Sequence, residues 1–64
     1  MKKKKVFCLR VRLSDDQEWS EPSYFKTKGK RDKIGAMNRI IAGFRTHSFE
    51  ERKSEEELAE IEFE

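Results

Sequence analysis

A single cysteine is the feature that most restricts how this chain of 64 residues can be held together. Cys8 has no second cysteine with which to form a disulfide inside the chain. Together with His47 it supplies only two of the four ligands that a structural zinc ion needs. Because 34% of the residues are hydrophobic and 44% are charged, the core must be small. We therefore expect one small α+β domain over residues 1–64, stabilised by close packing, self-association or a partner.

The first half of the chain predicts a β-hairpin. Residues 6–13 are expected to form a strand, because alternate positions are hydrophobic, and the preceding residues 1–5 a flexible basic tail. The buried face of that strand would consist of Phe7, Leu9, Val11 and Leu13. Turn-forming residues follow as far as Pro22, so residues 23–28 are expected to form the second strand. Phe25 should be buried there, and its neighbour Tyr24 partly exposed.

Residues 30–45 predict the main helix. Their hydrophobic side chains fall within an arc of about 120° when placed at 100° per residue. This apolar stripe, which we expect to pack on the sheet, consists of Ile34, Met37, Ile40, Ile41 and Phe44. Gly29 precedes the helix, Asp32 lies in its first predicted turn and Arg45 in its last, where the helix dipole favours an anion and a cation respectively.

The last part of the chain is acidic and gives a mixed signal. Ser48 with Glu51, and Ser54 with Glu57, have capping-box spacing, which predicts short helical turns or a loop over residues 48–57. Residues 59–63 alternate hydrophobic and acidic side chains, so we predict that they form the third strand rather than a helix.

Segregation of charge leads to a predicted topology. Residues 1–46 carry 13 basic and 5 acidic side chains, whereas residues 47–64 carry 2 basic and 8 acidic ones. Pairing the last strand with the first would set Glu60 and Glu62 beside Arg10 and Arg12. The predicted fold is ββαβ: a three-stranded antiparallel sheet of order 2-1-3 with one main helix on one face, crossing over in the right-handed sense.

Catalysis finds no support in the sequence. No nucleophile or metalloprotease motif is present, and the acidic residues lie in solvated runs. Cys8 is interpreted as a small buried hydrophobe, His47 as an exposed residue, and Lys28–Arg31 as a basic turn rather than a phosphate loop. We expect a non-enzymatic protein with no cofactor, metal site or small-molecule substrate. No hydrophobic run exceeds the four residues 6–9 and no full signal-peptide pattern is present, so we also expect no membrane segment and a cytoplasmic location.

The leading hypothesis is a protein-interaction module that regulates or inhibits a macromolecular partner. Two glycines inside the helix cost about 1 kcal/mol each relative to alanine, which suggests a close-approaching partner, although they could simply loosen the helix ends. The predicted partner-binding residues are Gly35, Ala36, Arg39, Ala42, Gly43 and Trp19. Trp19 either folds back over the sheet or projects as an interface anchor. Self-association as a homodimer is left open, and the element order resembles that of small regulators from phages and mobile elements.

The alternative hypothesis is a DNA- or RNA-binding module that uses the basic hairpin and the start of the helix. A three-stranded sheet backed by a helix can contact a nucleic acid, and basic residues are dense before residue 34. The predicted nucleic-acid-binding residues are Lys26, Lys28, Lys30, Arg31, Lys33 and Tyr24. A net charge of only +2 and the acidic end of the chain weaken this hypothesis.

Overall fold

The strands form one antiparallel sheet of order β2-β1-β3, and helices pack on it. The computed structural model describes residues 3–64. The elements are β1 (Lys4–Arg12), β2 (Ser23–Phe25), α1 (Lys28–Ile40), β3 (Arg45–Lys53) and α2 (Glu55–Ala59). The predicted fold class and strand order are confirmed, but the third strand comes from a different part of the sequence.

β3 is built from residues 45–53, where the end of the helix and short helical turns were expected. All nine of its residues pair with β1, from Lys4 opposite Lys53 to Arg12 opposite Arg45. The prediction of a strand over residues 59–63 is wrong, because only Phe63 forms a bridge, to Tyr24, and that bridge is parallel.

The predicted charge pairing across the sheet is wrong for the same reason. Arg10 and Arg12 lie opposite His47 and Arg45, not opposite Glu60 and Glu62. The register therefore brings cationic and aromatic side chains together on neighbouring strands, because residues that face each other across an antiparallel ladder project to the same side of the sheet.

The boundaries of α1 are set by its caps. Thr27 is the N-cap, and its hydroxyl accepts a hydrogen bond from the backbone N–H of Lys30, so the helix begins before the predicted position 30. It ends at Ile40 rather than at residue 45. Gly43 has a φ of +72°, and the N–H of Phe44 donates to the carbonyl of Asn38 at 3.0 Å. This left-handed glycine redirects the chain into β3.

The shifted start and end of α1 also move the charges near its termini. The first turn contains no acidic residue, so Asp32 does not occupy the position expected for it. Arg39, not Arg45, is the basic residue of the last turn.

α2 begins with the predicted capping box. The Ser54 hydroxyl accepts the N–H of Glu57, and the Glu57 carboxylate accepts the N–H of Ser54. These bonds lower the pKa of the Glu57 carboxyl, with the backbone contact contributing most. The other capping-box spacing, Ser48 with Glu51, lies within β3 and caps nothing. Among residues 3–64, neither helix is long and apolar enough to cross a lipid bilayer.

The core draws on both faces of the sheet. The buried hydrophobic residues are Val6, Cys8, Leu9 and Phe25. The expected single buried face of β1 is therefore wrong: Val6 and Cys8 project away from Leu9, and Leu13 is 56% exposed. The second buried face exists because the acidic end of the chain covers part of it, where Leu58 and Phe63 line a cavity with Val6.

The hairpin strands also differ in length from the predictions. β1 includes Lys4 and Lys5 from the expected tail, while residues 1–2 of that tail lie outside the described residues. β2 is only three residues long rather than spanning 23–28, since Lys28 already belongs to α1. Phe25 is buried and Tyr24 is half-buried, as predicted.

α1 lies on the sheet with a different face from the one expected. Gly35 is buried, and a Cβ atom there would lie 3.5 Å from Leu9. Arg31 is also buried and donates to the carbonyl of Phe49 at 3.2 Å. Gly35 thus faces Leu9 with room for a Cβ at ordinary contact distance, while the arginine bonds to β3. The prediction that the apolar stripe packs on the sheet is therefore only partly right: Ile34 is half-buried beside Leu9 and Phe25, whereas Ile40 and Ile41 are 82% and 76% exposed.

Candidate nucleic-acid interface

Three aromatic rings line the sheet face opposite α1. His47 and Phe49 alternate along β3, and their rings stack at 5.3 Å between centroids. Trp19, from the loop after β1, lies beside His47 with 5.7 Å between ring centroids. We call Trp19, His47 and Phe49 the aromatic row. It forms one continuous band on this face of the sheet.

The loop that carries Trp19 is fastened to the end of β1. The N–H of Ser20 donates to the carbonyl of Val11 at 2.8 Å, and the Ser20 hydroxyl accepts the N–H of Val11 at 3.0 Å. Further along, the Gln17 side chain accepts the N–H of Leu13. These bonds fold Trp19 back over the sheet, which is one of the two placements expected from its sequence context.

Two arginines of β1 lie against the aromatic row. The guanidinium of Arg12 stands 4.3 Å from the centroid of the Trp19 ring, and that of Arg10 stands 5.7 Å from the centroid of Phe49. Both arginines are half-buried, and so are Trp19 and Phe49. A guanidinium over an aromatic face is held by cation–π attraction. Arg12 in addition donates to the carbonyls of Asp15 and Gln17.

Asp15 provides a negative charge beside Arg12. Its carboxylate lies 3.7 Å from Arg12 and also forms an ion pair with Arg45 at the start of β3. Asp15 is largely exposed, so both ion pairs are solvated and weak. An incoming phosphate could therefore replace this carboxylate at the arginines.

The row borders an open groove of about 390 Å³ lined by Arg10, Trp19, His47 and Phe49. Its walls combine aromatic faces with a guanidinium, and it contains no carboxylate. This combination suits a flat, electron-rich ring attached to an anionic group: the ring stacks on an aromatic face, and the anion bonds to the guanidinium.

The other end of the same face is acidic. Tyr24, Lys53 and α2 surround a second groove, of about 490 Å³, whose lining includes Glu57, Glu60 and Glu62. Lys53 forms ion pairs with Glu51 and Glu57, so its charge is partly neutralised. The positive charge of this face is thus concentrated at the end of the sheet that carries Trp19.

Cys8 offers no nucleophile near this interface. It is fully buried, and that burial is the largest of the causes that raise the pKa of its thiol from 9.0 to about 11. The carboxylate of Glu51, 3.6 Å from the sulfur, contributes to the same rise by opposing a second negative charge. Among residues 3–64, no group of three His, Cys, Asp or Glu side chains is arranged to hold a metal ion.

The residues predicted for partner binding do not form one outer surface. Gly35 faces the sheet, and Ala36 is half-buried. Arg39 is exposed and donates to the hydroxyl of Thr46, and the remaining two helix-face residues, Ala42 and Gly43, lie beyond the end of α1. The sixth member of the predicted set, Trp19, belongs to the aromatic row on the opposite face of the sheet.

The residues predicted for nucleic-acid binding are also dispersed. The exposed ones on α1 are Lys28, Lys30 and Lys33. Arg31 is unavailable, because it is buried and bonded to Asp32 and to the carbonyl of Phe49. Lys26 lies over the ring of Phe63, and Tyr24 is half-buried near Lys53.

The sequence interpretation did not identify His47 and Phe49 as site residues. The sequence does contain a signal for them. In residues 46–49, hydroxyl side chains alternate with aromatic rings, and such alternation is typical of a strand. The capping-box spacing of Ser48 and Glu51 obscured it. Once this segment is placed in a strand, the two rings necessarily share a face.

Comparisons with known proteins give no match: no family model, no curated protein and no solved structure is similar to this chain.

Proposed function

We propose that the protein is a non-enzymatic module that binds single-stranded nucleic acid through the aromatic row. The observation that carries this proposal is the contiguity of Trp19, His47 and Phe49 on a sheet face that also presents Arg10 and Arg12. This contiguity favours the nucleic-acid hypothesis over the protein-interaction hypothesis, and the sheet over the start of the helix as the binding surface.

Single strands suit this surface better than duplexes do. Stacking of a base on an aromatic side chain contributes about 1–3 kcal/mol, but the base must be free of its own stacking partners. Bases in a duplex are already stacked and paired, so they cannot lie flat on a protein ring without being extruded. Because any base has a π face, we expect little sequence preference.

The arginines supply the electrostatic part of the binding. Arg10, Arg12 and Arg45 lie along the row. Asp15 is paired with Arg12 and Arg45, whereas Glu51 is paired with Lys53, and Glu57, Glu60 and Glu62 lie at the other end of this face. Replacing bound counterions on a phosphate backbone makes affinity fall linearly with salt on logarithmic axes, with a slope set by the number of phosphates contacted. A small excess of positive charge predicts a shallow slope and moderate affinity.

The test is a fluorescence-anisotropy titration of end-labelled oligonucleotides of about 12 nucleotides, which is within the range that one small domain covers. Single-stranded DNA, single-stranded RNA and duplex DNA are compared at several salt concentrations. We expect both single strands to bind more tightly than the duplex. Equal affinity for the duplex, or binding that disappears at physiological salt for all three, would contradict the proposal.

Two charge-removing variants locate the binding surface. Arg10→Gln removes a cation that lines the groove, and Lys33→Gln removes an exposed cation of α1. Both lower the net charge equally. We expect Arg10→Gln to weaken binding more than Lys33→Gln; the reverse order would assign binding to the helix.

The second candidate is a protein-interaction module that regulates or inhibits its partner through α1. The observation that favours it is the exposure of Met37, Ile40 and Ile41, since an exposed hydrophobic group of this kind often marks a protein contact. Lys30 and Lys33 flank these side chains, which favours an acidic amphipathic helix as the partner.

Calorimetric titration with a synthetic helix carrying leucines on one face and glutamates beside them tests this second candidate. Binding by the wild type that Ile40→Asp abolishes would support it. Binding that persists in Ile40→Asp, or no binding by either protein, would contradict it.

A further inference from the structure

We propose that two copies of this chain pair through the outer edge of β3 to form one continuous six-stranded sheet. β3 is an edge strand: its nine residues pair with β1 on one side, and within residues 3–64 no strand pairs with its other side. Such an edge presents unpaired backbone donors and acceptors in a row, and a second strand can satisfy them.

The two edges of the sheet are built differently. β2 is only three residues long, and the end of the chain covers it: Phe63 bridges to Tyr24, and the N–H of Glu64 donates to the carbonyl of Tyr24 at 2.8 Å. β3 is three times as long, contains no proline and keeps an uninterrupted register with β1. Five of its nine residues are charged, which usually discourages edge pairing, and Arg31 donates to the carbonyl of Phe49, so pairing through this edge depends on the charges being complementary.

Charge complementarity selects a second copy of β3 as the occupant. In an antiparallel pair related by a twofold axis at Ser48, Arg45 of each copy lies opposite Glu51 of the other. Moving the axis to Phe49 would instead set Arg45 opposite Lys53, which is a repulsive pair. The strand is thus complementary to itself in one register, with two attractive pairs related by symmetry.

The same register also joins the two aromatic rows. With the axis at Ser48, His47 of each copy lies opposite Phe49 of the other, and these side chains project from the face opposite α1. The rows would then meet at the axis and form one band across both copies. The pairing does not depend on nucleic acid, but it would give the proposed interface a longer track.

The first measurement is the mass of the wild-type protein by size-exclusion chromatography with light scattering, from low micromolar to submillimolar concentration. We expect the mass to rise from 7.7 kDa towards twice that value. A folded protein that stays monomeric over the whole range would overturn the proposal.

A charge-swap series then identifies the edge. Arg45→Glu and Glu51→Arg each place like charges opposite one another, so each should raise the dissociation constant of the dimer several-fold, and the double variant should restore it. Ile40→Asp, on α1, serves as the matched control and should leave the dimer intact. Loss of the dimer in Ile40→Asp together with no effect of the swap series would overturn the proposal in favour of a helix interface.

If a charge variant does not fold, an engineered disulfide between two copies tests the same pairing. Ser48 lies opposite itself across the proposed axis, so Ser48→Cys should give a covalent dimer on mild oxidation. Lys33→Cys, exposed on α1, should stay monomeric under the same conditions. A monomer that binds single-stranded nucleic acid would overturn the proposed pairing but support the proposed function. A dimer that binds no nucleic acid would support the pairing but contradict the proposed function.

Discussion

The guanidinium of Arg12 lies 4.3 Å from the centroid of the Trp19 ring, which ties the loop after β1 to the strand it leaves. The same guanidinium donates to the carbonyls of Asp15 and Gln17 within that loop. Trp19 is therefore held in place by the protein itself. A ligand that stacks on this ring does not have to order the loop, and the entropy cost of binding is correspondingly smaller.

Trp19 is the only tryptophan in the chain, so its fluorescence reports directly on the aromatic row. We expect titration with single-stranded oligonucleotide to quench this fluorescence, because a base stacks on the indole. Trp19→Leu should weaken binding about thirtyfold, the middle of the range for losing one stacked base, whereas Trp19→Phe should retain most of the affinity. A complex seen by anisotropy without any change in tryptophan emission would exclude Trp19 from the interface.

Asp15 is predicted to compete with phosphate for the arginines. Its carboxylate forms ion pairs with Arg12 and Arg45, so Asp15→Asn should tighten binding to single strands several-fold and steepen the salt dependence by about one phosphate contact. Asp16→Asn is the matched control: Asp16 is hydrogen-bonded to Ser14 and forms no ion pair with these arginines. Equal gains in both variants would indicate a general charge effect and contradict the specific role of Asp15.

The strand order could be predicted from the sequence because it follows from simple requirements. β1 is the most hydrophobic segment and must be central, and the main helix separates two strands that both pair with it. The identity of the third strand could not be predicted in the same way. Residues 44–53 carry both a helical continuation, through Phe44, and a strand alternation, through His47 and Phe49. In the structure, Gly43 has a positive φ, which ends the helical course of the chain and allows a strand to follow.

The candidate site could be predicted only in part, because it depends on whether residues 44–53 form a helix or a strand. Trp19 was predicted to bind a partner, whereas Arg10 and Arg12 were expected to pair with Glu60 and Glu62. Their neighbours on β3 became apparent only with the register. The sequence also did not show which face of α1 packs on the sheet. The apolar stripe at helical spacing predicted that its own face would be buried, but the buried residues of α1 are Arg31 and Gly35.

Gly35, inside α1, and Gly43, after its end, should respond oppositely to replacement by alanine. Gly35→Ala adds a Cβ at ordinary contact distance from Leu9 and improves helix propensity, so it should raise the free energy of unfolding by about 0.5–1 kcal/mol. Gly43→Ala forces a left-handed residue to carry a side chain and should lower that free energy by about 1–2 kcal/mol. Urea unfolding monitored by circular dichroism measures both. Destabilisation by Gly35→Ala would contradict the described packing of α1.

The buried thiol of Cys8 makes stability depend on pH in the alkaline range. Its pKa is about 11 in the folded protein and about 9 when exposed, so the unfolded chain loses this proton first as the pH rises. Between these two pH values the folded state binds more protons at Cys8 than the unfolded chain does. The free energy of unfolding is therefore unaffected by this thiol below about pH 9 and falls as the pH rises towards about 11. Unfolding free energies of the wild type and of Cys8→Ala, measured at several pH values across this window, isolate the effect because lysine and tyrosine titrations are common to both. We expect the wild type to lose more stability than the variant; parallel curves would show that Cys8 ionises equally well in the folded state.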